Sequence, residues 1–167
     1  MRRAFADKEI VLGVTGSIAA YKACELASRL KEQGATVRAV LSRAALSFVG
    51  AASFEGITGQ PVITEMFDPV QNPEIEHIAV ARRAALFLIA PATANVIAKA
   101  AHGIADDWLT TTLLATRAPI LFAPAMNTQM YLHPATQANI ALLQSRGARF
   151  VGPSAGQLAC VRMGFHR

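Results

Sequence analysis

Two stretches of the chain combine a short apolar run, a proline and an amide side chain. Residues 86–90 lead into Pro-Ala-Thr-Ala-Asn at 91–95, and residues 119–122 lead into Ala-Pro-Ala-Met-Asn at 123–127, with Met130 three residues later. Each apolar run predicts a buried strand, which the proline should end because it cannot donate to a hydrogen-bond ladder. Ligands of parallel α/β sheets bind outside the carboxyl ends of the strands. We therefore expect two adjacent loops that present their amides and Met130 to one ligand.

A turn near the N-terminus has the composition of a phosphate site. Residues 10–14 predict the first strand, and Thr-Gly-Ser-Ile at 15–18 turns into a helix. Backbone N–H groups at a helix N-terminus bind phosphate, and Gly16 would let the backbone come close. The motif is not G-x-G-x-x-G, so the phosphate of a mononucleotide or an ordinary tight turn is favoured over a dinucleotide site. Ser42, which follows a predicted strand at 36–41, would either add a hydroxyl to the same phosphate or cap a helix.

One of the four histidines and one of the two cysteines stand where they could take part in catalysis. His77 lies on a helix predicted at 75–83, from which it would either lean over the carboxyl edge of the sheet or serve only in packing. Cys160 lies in a Gly-containing loop, where an accessible thiol can act as a proton donor or reductant. Cys24 is far from Cys160 in sequence and neither has a CxxC partner. This spacing argues against a disulfide framework or a metal site and fits a reducing cytoplasm.

The composition predicts a single α/β domain whose basic residues form a solvated surface or, alternatively, suit an anionic small substrate. The chain has 167 residues, of which 53% are hydrophobic and 16% charged, and a formal net charge of +5. A doubly covered sheet, with further apolar surface buried between subunits, accounts for this content. The basic residues form no stripe interleaved with aromatics, so nucleic-acid binding is not favoured. We find no signal peptide and no apolar run as long as a membrane span.

The order of predicted elements alternates strands with helices, which is the pattern of a mostly parallel sheet with right-handed crossovers. Strands are predicted at 10–14, 36–41, 86–90, 119–123 and 148–151. Helices are predicted after the Gly16 turn and ending at Gly34, within 44–59, at 75–83, at 95–101, from Asp106 or Asp107 to about 116, and from His133-Pro134 to Gly147.

Six short motifs occur in the order in which one enzyme family has them. They are Gly-Ser-Ile-Ala-Ala-Tyr-Lys at 16–22, Glu-His-Ile at 76–78, Pro-Ala-Thr-Ala-Asn at 91–95, Gly-Ile-Ala-Asp-Asp at 103–107, Pro-Ala-Met-Asn at 124–127 with Met130, and Gly-Gln-Leu-Ala-Cys at 156–160. With these motifs the sequence resembles the homo-oligomeric flavin-containing cysteine decarboxylases, and most closely their phosphopantothenoylcysteine decarboxylase branch.

The resemblance implies a fold and a cofactor site. The fold would be a flavodoxin-like (Rossmann-type) three-layer α/β structure that binds FMN between neighbouring subunits of a homotrimer or a dodecamer of trimers. Cofactor-binding roles carry over by position to seven residues. Gly16, Ser17, Ile18 and Ser42 would hold the FMN phosphate, Thr93 and Asn95 would contact the flavin or its ribityl chain, and the region of Asp106 would complete the site.

The resemblance also implies a substrate and a reaction, the decarboxylation of 4′-phosphopantothenoylcysteine to 4′-phosphopantetheine in coenzyme A biosynthesis. His77 would be the catalytic base, and Asn127 would hold the carboxylate that leaves. Met130 and Ala159 would contact the substrate, and Cys160 would serve the last, reductive step. Two alternatives stay open: a decarboxylase of peptides that end in cysteine, and a flavin-binding regulatory subunit without catalysis.

The C-terminal segment departs from the family pattern. We expect residues 1–153 to form the FMN-binding decarboxylase domain and residues 154–167 to form a substrate flap. Cys160 is followed by Val-Arg-Met-Gly-Phe-His-Arg, where the family has a Gly-rich stretch, which indicates a shortened or altered flap. The synthetase domain that follows in bifunctional bacterial relatives is absent from this chain.

Overall fold

Five short apolar segments pair in parallel to form one sheet in the computed structural model, which describes residues 3–65 and 76–153. They are β1 (Glu9–Val14), β2 (Thr36–Leu41), β3 (Leu86–Ala92), β4 (Ile120–Pro124) and β5 (Arg149–Phe150). Their order across the sheet is β2-β1-β3-β4-β5. The chain therefore turns in opposite directions from β1 and from β3, which opens a crevice at the carboxyl ends of these two strands.

Helices cover both faces of the sheet. In the described ranges they are α1 (Lys22–Glu32), α2 (Ala51–Thr58), α3 (Glu76–Arg83), α4 (Ala94–His102), α5 (Trp108–Ala115), α6 (Thr128–Leu132) and α7 (Pro134–Ser145). Short 3₁₀ turns at Ile18–Tyr21 and Ala45–Ser47 follow β1 and β2. One apolar cluster joins α1 and α2 to the sheet, and the other joins α3, α4, α5 and α7 to its opposite face. The result is the three-layer α/β fold expected from the sequence.

Strand β1 lies at the centre of both clusters. Ile10, Leu12 and Val14 face α1, while Val11 faces the other layer, and all four side chains are fully buried. A strand covered on both faces is apolar without alternation, which is why residues 10–14 were recognisable as a strand. Gly13 is an exception that packing explains. A Cβ atom there would lie 2.7 Å from Leu109 Cδ1 and 2.8 Å from Ile89 Cδ1, so its absence lets α5 lie close to the sheet.

Local signals place most helix ends where the sequence predicts them. Gly59 and Gly103 adopt the left-handed conformation at the C-termini of α2 and α4, as helix-ending glycines do. Of the two aspartates that could cap α5, Asp107 does so. Pro134 occupies the first turn of α7, where its missing N–H costs nothing.

One local expectation was wrong, and one helix was not predicted. Pro91 does not end β3, which continues to Ala92 with a shift of register against β4 after Ile89. The strand tolerates the proline because only a donor is lost, and the Pro91 carbonyl still accepts hydrogen bonds from Thr15, directly after β1. The sequence also gave no expectation of α6, whose first turn is polar and which is only five residues long.

In residues 3–65 and 76–153 there is no helix with the length and apolar character needed to span a bilayer. The same residues contain no cluster of three or more His, Cys, Asp or Glu side chains that could hold a metal ion.

Candidate functional site

A cavity of about 690 Å³ lies at the carboxyl ends of β1, β2 and β3, in the crevice that the strand order creates. Its volume is in the range of small-molecule and cofactor sites. The turns after these three strands, the N-terminus of α5 and one side chain of α6 form its walls. The lining residues are Thr15, Gly16, Ser42, Arg43, Ala44, Ser47, Thr93, Ala94, Asn95, Val96, Lys99, Asp107, Leu109 and Met130.

A buried threonine ties the turn after β1 to the turn after β3. The Thr15 hydroxyl donates to the Pro91 carbonyl oxygen at 2.7 Å and accepts from the Thr93 backbone N–H at 3.1 Å. The Thr15 backbone N–H donates to the same Pro91 oxygen at 3.3 Å. Because these partners are 76 and 78 residues away in sequence, the bonds fix two distant turns against each other. Thr15 was not among the predicted site residues, although a hydroxyl directly after a buried strand is a recognisable signal.

Gly16 lets the turns after β1 and β2 touch. A Cβ atom on Gly16 would lie 2.5 Å from the Ala44 Cβ and 3.1 Å from the Ala44 carbonyl carbon. The space beside this glycine is therefore filled by the neighbouring turn, and the close contact brings Gly16 and Ser42 to one corner of the cavity. We name this corner, formed by Gly16, Ser42, Arg43 and Ser47, the β1–β2 corner.

The other residues of the predicted phosphate turn have local roles in the structure. Ser17 caps the 3₁₀ turn that follows it, its hydroxyl accepting from the Ala19 N–H at 3.3 Å. Ile18 is 52% exposed, and neither it nor Ser17 lines the cavity. The Ser42 hydroxyl accepts from the Ala45 N–H at 3.2 Å, where the next 3₁₀ turn begins, and Ser42 does line the cavity. A hydroxyl that accepts a hydrogen bond keeps its own proton, so Ser42 can still donate to a ligand.

The loop after β3 presents a hydroxyl and an amide. Thr93 caps α4, its side chain accepting from the Val96 N–H at 3.3 Å, and its hydroxyl lies 3.3 Å from that of Thr15. Asn95 lies exposed in the first turn of α4. Both residues line the cavity, as the sequence predicted for a ligand at this strand end.

Asp106 and Asp107 have different roles. Asp106 is exposed, and both of its carboxylate oxygens accept from Lys99 Nζ, at 2.7 and 2.8 Å. The hydrogen bond from Lys99 holds the pKa of Asp106 below its ordinary value. Asp107 lines the cavity instead, and its Oδ1 accepts from the N–H and the hydroxyl of Thr110 at 2.8 and 2.7 Å. The predicted Asp106 region therefore contacts the cavity through Asp107 and Lys99.

The loop after β4 lies beside the loop after β3. The Ala125 N–H donates to the Ala92 carbonyl oxygen at 3.0 Å. Asn127 caps α6, its Oδ1 accepting from the Gln129 N–H at 2.8 Å, and it is exposed outside the cavity lining. Met130, on the same short helix, is 50% exposed and lines the cavity.

The two predicted catalytic residues that the structure describes, His77 and Asn127, do not line the cavity of their own chain. His77 is half-buried at the start of α3 and does not line the cavity. Helix α3 lies along α5, where the Thr116 hydroxyl donates to the Ala81 carbonyl oxygen at 3.0 Å. Ala159, Cys160 and the whole expected flap at 154–167 lie outside the described residues.

Sequence reasoning missed several lining residues. Lys99 follows Asn95 by four positions, so both occupy one face of α4, and this spacing could have revealed it. Arg43 directly follows Ser42 at the end of β2. Leu109 gave no signal, because its place in the cavity depends on the close approach of α5 to Gly13.

Comparison with known proteins places the chain in a family. The Flavoprotein family matches residues 2–166. The bifunctional coenzyme A biosynthesis protein CoaBC of Mycolicibacterium smegmatis is 52% identical over 153 residues, which cover 92% of this chain and 36% of that protein. The chain thus spans just over a third of the length of that curated relative.

Two solved structures extend the similarity to three dimensions. A crystal structure of the FMN-dependent cysteine decarboxylase SpaF has a TM-score of 0.86 and 36% identity, covering 92% of this chain and 88% of SpaF. A variant of PPC decarboxylase, solved in complex with pantothenoylaminoethenethiol, has a TM-score of 0.78 and 30% identity, covering 91% of this chain and 85% of that one. These matches confirm the flavodoxin-like fold and the resemblance inferred from the six motifs. The chain belongs to the flavoprotein family, among its cysteine decarboxylases.

Proposed function

We propose that this chain catalyses the FMN-dependent decarboxylation of 4′-phosphopantothenoylcysteine to 4′-phosphopantetheine in coenzyme A biosynthesis. The observation that carries the proposal is the cavity at the β1/β3 switch point, lined by hydroxyl and amide side chains, in a chain half identical to a CoaBC protein. A solved PPC decarboxylase shares the fold.

The cavity residues fit FMN. Ser42 and Ser47 offer hydroxyl donors at the β1–β2 corner, which suits a phosphate, and Gly16 brings the backbone of the first turn to the same corner. Thr93 and Asn95 offer polar contacts for a ribityl chain or a flavin edge. Apolar atoms of Leu109 and Met130 suit the faces of an aromatic ring. In this arrangement Ile18 would contribute its backbone N–H group, since its side chain lies outside the lining. The Ser17 N–H donates to the Thr15 carbonyl oxygen at 2.8 Å, so a contact of Ser17 with the phosphate stays a prediction.

The proposed chemistry divides between the cofactor and the protein. FMN supplies oxidation of the substrate thiol, which makes loss of carbon dioxide possible, and the reduction that follows, so no nicotinamide partner is required. Asn127 is suited to hold the carboxylate that leaves. Its Oδ1 is occupied by the Gln129 N–H, which turns the Nδ2 group, a double donor, outwards.

We propose that the complete site forms between copies of the chain, in a homotrimer or a dodecamer of trimers. His77, the proposed base, lies away from the cavity of its own chain, which supports a contribution to the site of a neighbour. Exposed apolar side chains also flank the cavity, namely Ile18, Phe48 and Met130. The flap roles of Ala159 and Cys160, the division at residue 153 and a cytoplasmic location stay predictions.

Purification with bound or added FMN tests the proposal. We expect a yellow protein that releases carbon dioxide from carboxyl-labelled 4′-phosphopantothenoylcysteine. His77→Asn should keep the flavin spectrum and lose carbon dioxide release. His102→Asn is the matched control, because His102 is exposed and contacts Asn139 rather than the cavity. A protein that takes up no FMN, or that takes it up and leaves the substrate intact, would contradict the proposal.

The similarity to SpaF supports a second candidate, decarboxylation of a cysteine in another molecular context, such as the C-terminal cysteine of a peptide. The same assay with a short peptide ending in cysteine distinguishes the two. Preferential release of carbon dioxide from the peptide would favour the second candidate over the first.

A further inference from the structure

The β1–β2 corner of the cavity carries a cationic side chain. Arg43 directly follows Ser42 after β2, is exposed, and lines the cavity together with Ser42 and Ser47. Within residues 3–65 and 76–153 it takes part in no hydrogen bond or ion pair. Its charge is thus available to a ligand that enters this corner.

The other cation on the lining is paired with a carboxylate, whereas the one described anionic residue on the lining, Asp107, keeps its negative charge at the start of α5. Lys99 Nζ is held by both oxygens of Asp106, and Asp107 Oδ1 accepts from the N–H and hydroxyl of Thr110. Of the two cations on the described lining, Arg43 is therefore the one whose charge is not paired with a carboxylate. An anionic group that enters the cavity should move towards this corner.

The geometry of the turns places Arg43 next to the polar groups that suit a phosphate. The contact between Gly16 and Ala44 holds the turn after β2 against the turn after β1. The hydroxyls of Ser42 and Ser47 lie on the same lining. A guanidinium group binds phosphate through two parallel N–H donors, and such charge-assisted bonds are among the strongest in proteins.

We propose that Arg43 binds the phosphate of FMN and thereby selects the phosphorylated flavin over riboflavin. The inference rests on the proposed function, because it assumes that the cavity holds FMN. The substrate proposed above carries the same chemical group, so the test separates the phosphate of the cofactor from that of the substrate.

Flavin titration of the full chain after removal of bound flavin tests the inference. Arg43→Gln should raise the dissociation constant for FMN about tenfold or more, as expected for a lost charge-assisted hydrogen bond, and should change that for riboflavin less than about twofold. Arg43→Lys should restore part of the FMN affinity, because lysine keeps the charge without the planar fork. Arg117→Gln is the matched control, since Arg117 is exposed before the amino end of β4, whereas the cavity lies at the carboxyl ends of the strands.

Each other outcome overturns the inference. Equal weakening of FMN and riboflavin would mean that Arg43 supports the fold or the ring rather than the phosphate, and unchanged constants would mean that it contacts neither. If the flavin constants stay and KM rises for phosphorylated but not for dephosphorylated pantothenoylcysteine, the phosphate bound is that of the substrate. If the parent chain binds neither flavin, the proposed function fails as well.

Discussion

Strands β3 and β4 both end at an Ala-Pro-Ala sequence, yet the protein anchors the loops that follow them differently. The first loop is tied to β1 by Thr15 and leads into α4, a helix of nine residues packed on the core. The second leads into α6, a helix of five residues without a buried side chain. We call the β3 loop with α4 the anchored wall, because Thr15 and the core hold it in place. We call the β4 loop with α6 the surface wall, because α6 has no buried side chain.

The difference follows from the neighbours of the two strands. Strand β3 lies between β1 and β4, so its carboxyl end meets a partner turn on one side and the β4 loop on the other. Strand β4 lies beside β5, which is only two residues long and offers little to anchor a loop. The hydrogen bond from the Ala125 N–H to the Ala92 carbonyl oxygen joins the surface wall to the anchored one. We interpret the first wall as the cofactor side and the second as the side that adapts to substrate.

Thr15→Val should have the largest effect, since it removes the tie that distinguishes the anchored wall. The nearly isosteric side chain leaves the Thr93 N–H without its acceptor and removes the donor to Pro91. We expect a loss of about 2–3 kcal/mol in the free energy of unfolding, measured by urea denaturation. Thr15→Ser keeps the hydroxyl and should lose much less. Equal losses for both variants would show that the methyl group, not the tie, stabilises this wall.

Gly16→Ala tests whether the anchored wall extends to the β1–β2 corner. The added Cβ would meet the Ala44 Cβ and its backbone, so one of the two turns must move. We expect a loss of about 2 kcal/mol in stability, typical of overpacking, together with weaker FMN binding. Gly50→Ala is the matched control, because a Cβ there meets nothing within 4 Å. Unchanged stability of Gly16→Ala would mean that the corner deforms freely and is not part of the anchored wall.

Removing the two helix caps compares the walls directly. Thr93→Ala deletes the cap of α4 and should cost about 1 kcal/mol of global stability, because α4 belongs to the core. Asn127→Ala deletes the cap of α6, which can fray alone, so we expect a loss below about 0.5 kcal/mol. Carbon dioxide release should fall strongly in Asn127→Ala despite this small loss. A large loss of stability in Asn127→Ala would remove the distinction between the walls.

Lys99→Met should have the smallest effect on stability, and one that depends on pH. The Lys99 hydrogen bonds lower the pKa of Asp106 below its ordinary value of 3.8, so the pair stabilises the folded state when Asp106 is ionised. The stability gap between parent and variant should be complete above this pH and should close as the pH falls through the lowered pKa. Thermal melts between pH 2.5 and 7 measure it. A gap that persists at the lowest pH would assign the effect to packing of the lysine stem.

The sequence predicted the strands and many cavity residues because both depend on local patterns. Apolar runs closed by Ala-Pro-Ala located the ends of β3 and β4 to within two residues, and Thr93, Asn95 and Met130 line the cavity as their positions suggested. The family motifs then identified what the site resembles. Such signals need only neighbours in sequence and the rule that ligands bind at carboxyl strand ends.

The remaining features depend on partners far away in the chain. The bonds of Thr15 to the β3 turn, the contact of Gly16 with Ala44 and the place of Leu109 all arise from packing between separate elements. A single sequence does not encode these pairings in a local pattern. The sequence also did not reveal which of Asp106 and Asp107 lines the cavity, because this depends on the pairing of Lys99 with Asp106 across the Gly103 turn.

Gly13 influences the size of the cavity although it is buried and does not line the cavity. Because Gly13 has no side chain, the methyl groups of Leu109 pack directly against the backbone of β1. Leu109 also lines the cavity, and Asp107, which caps the N-terminus of α5, lies two residues before it. A methyl group added at Gly13 would push Leu109, and with it α5, away from the sheet. The distance between α5 and the sheet, and with it the size of the cavity, thus depends on a residue of β1 that is outside the cavity lining.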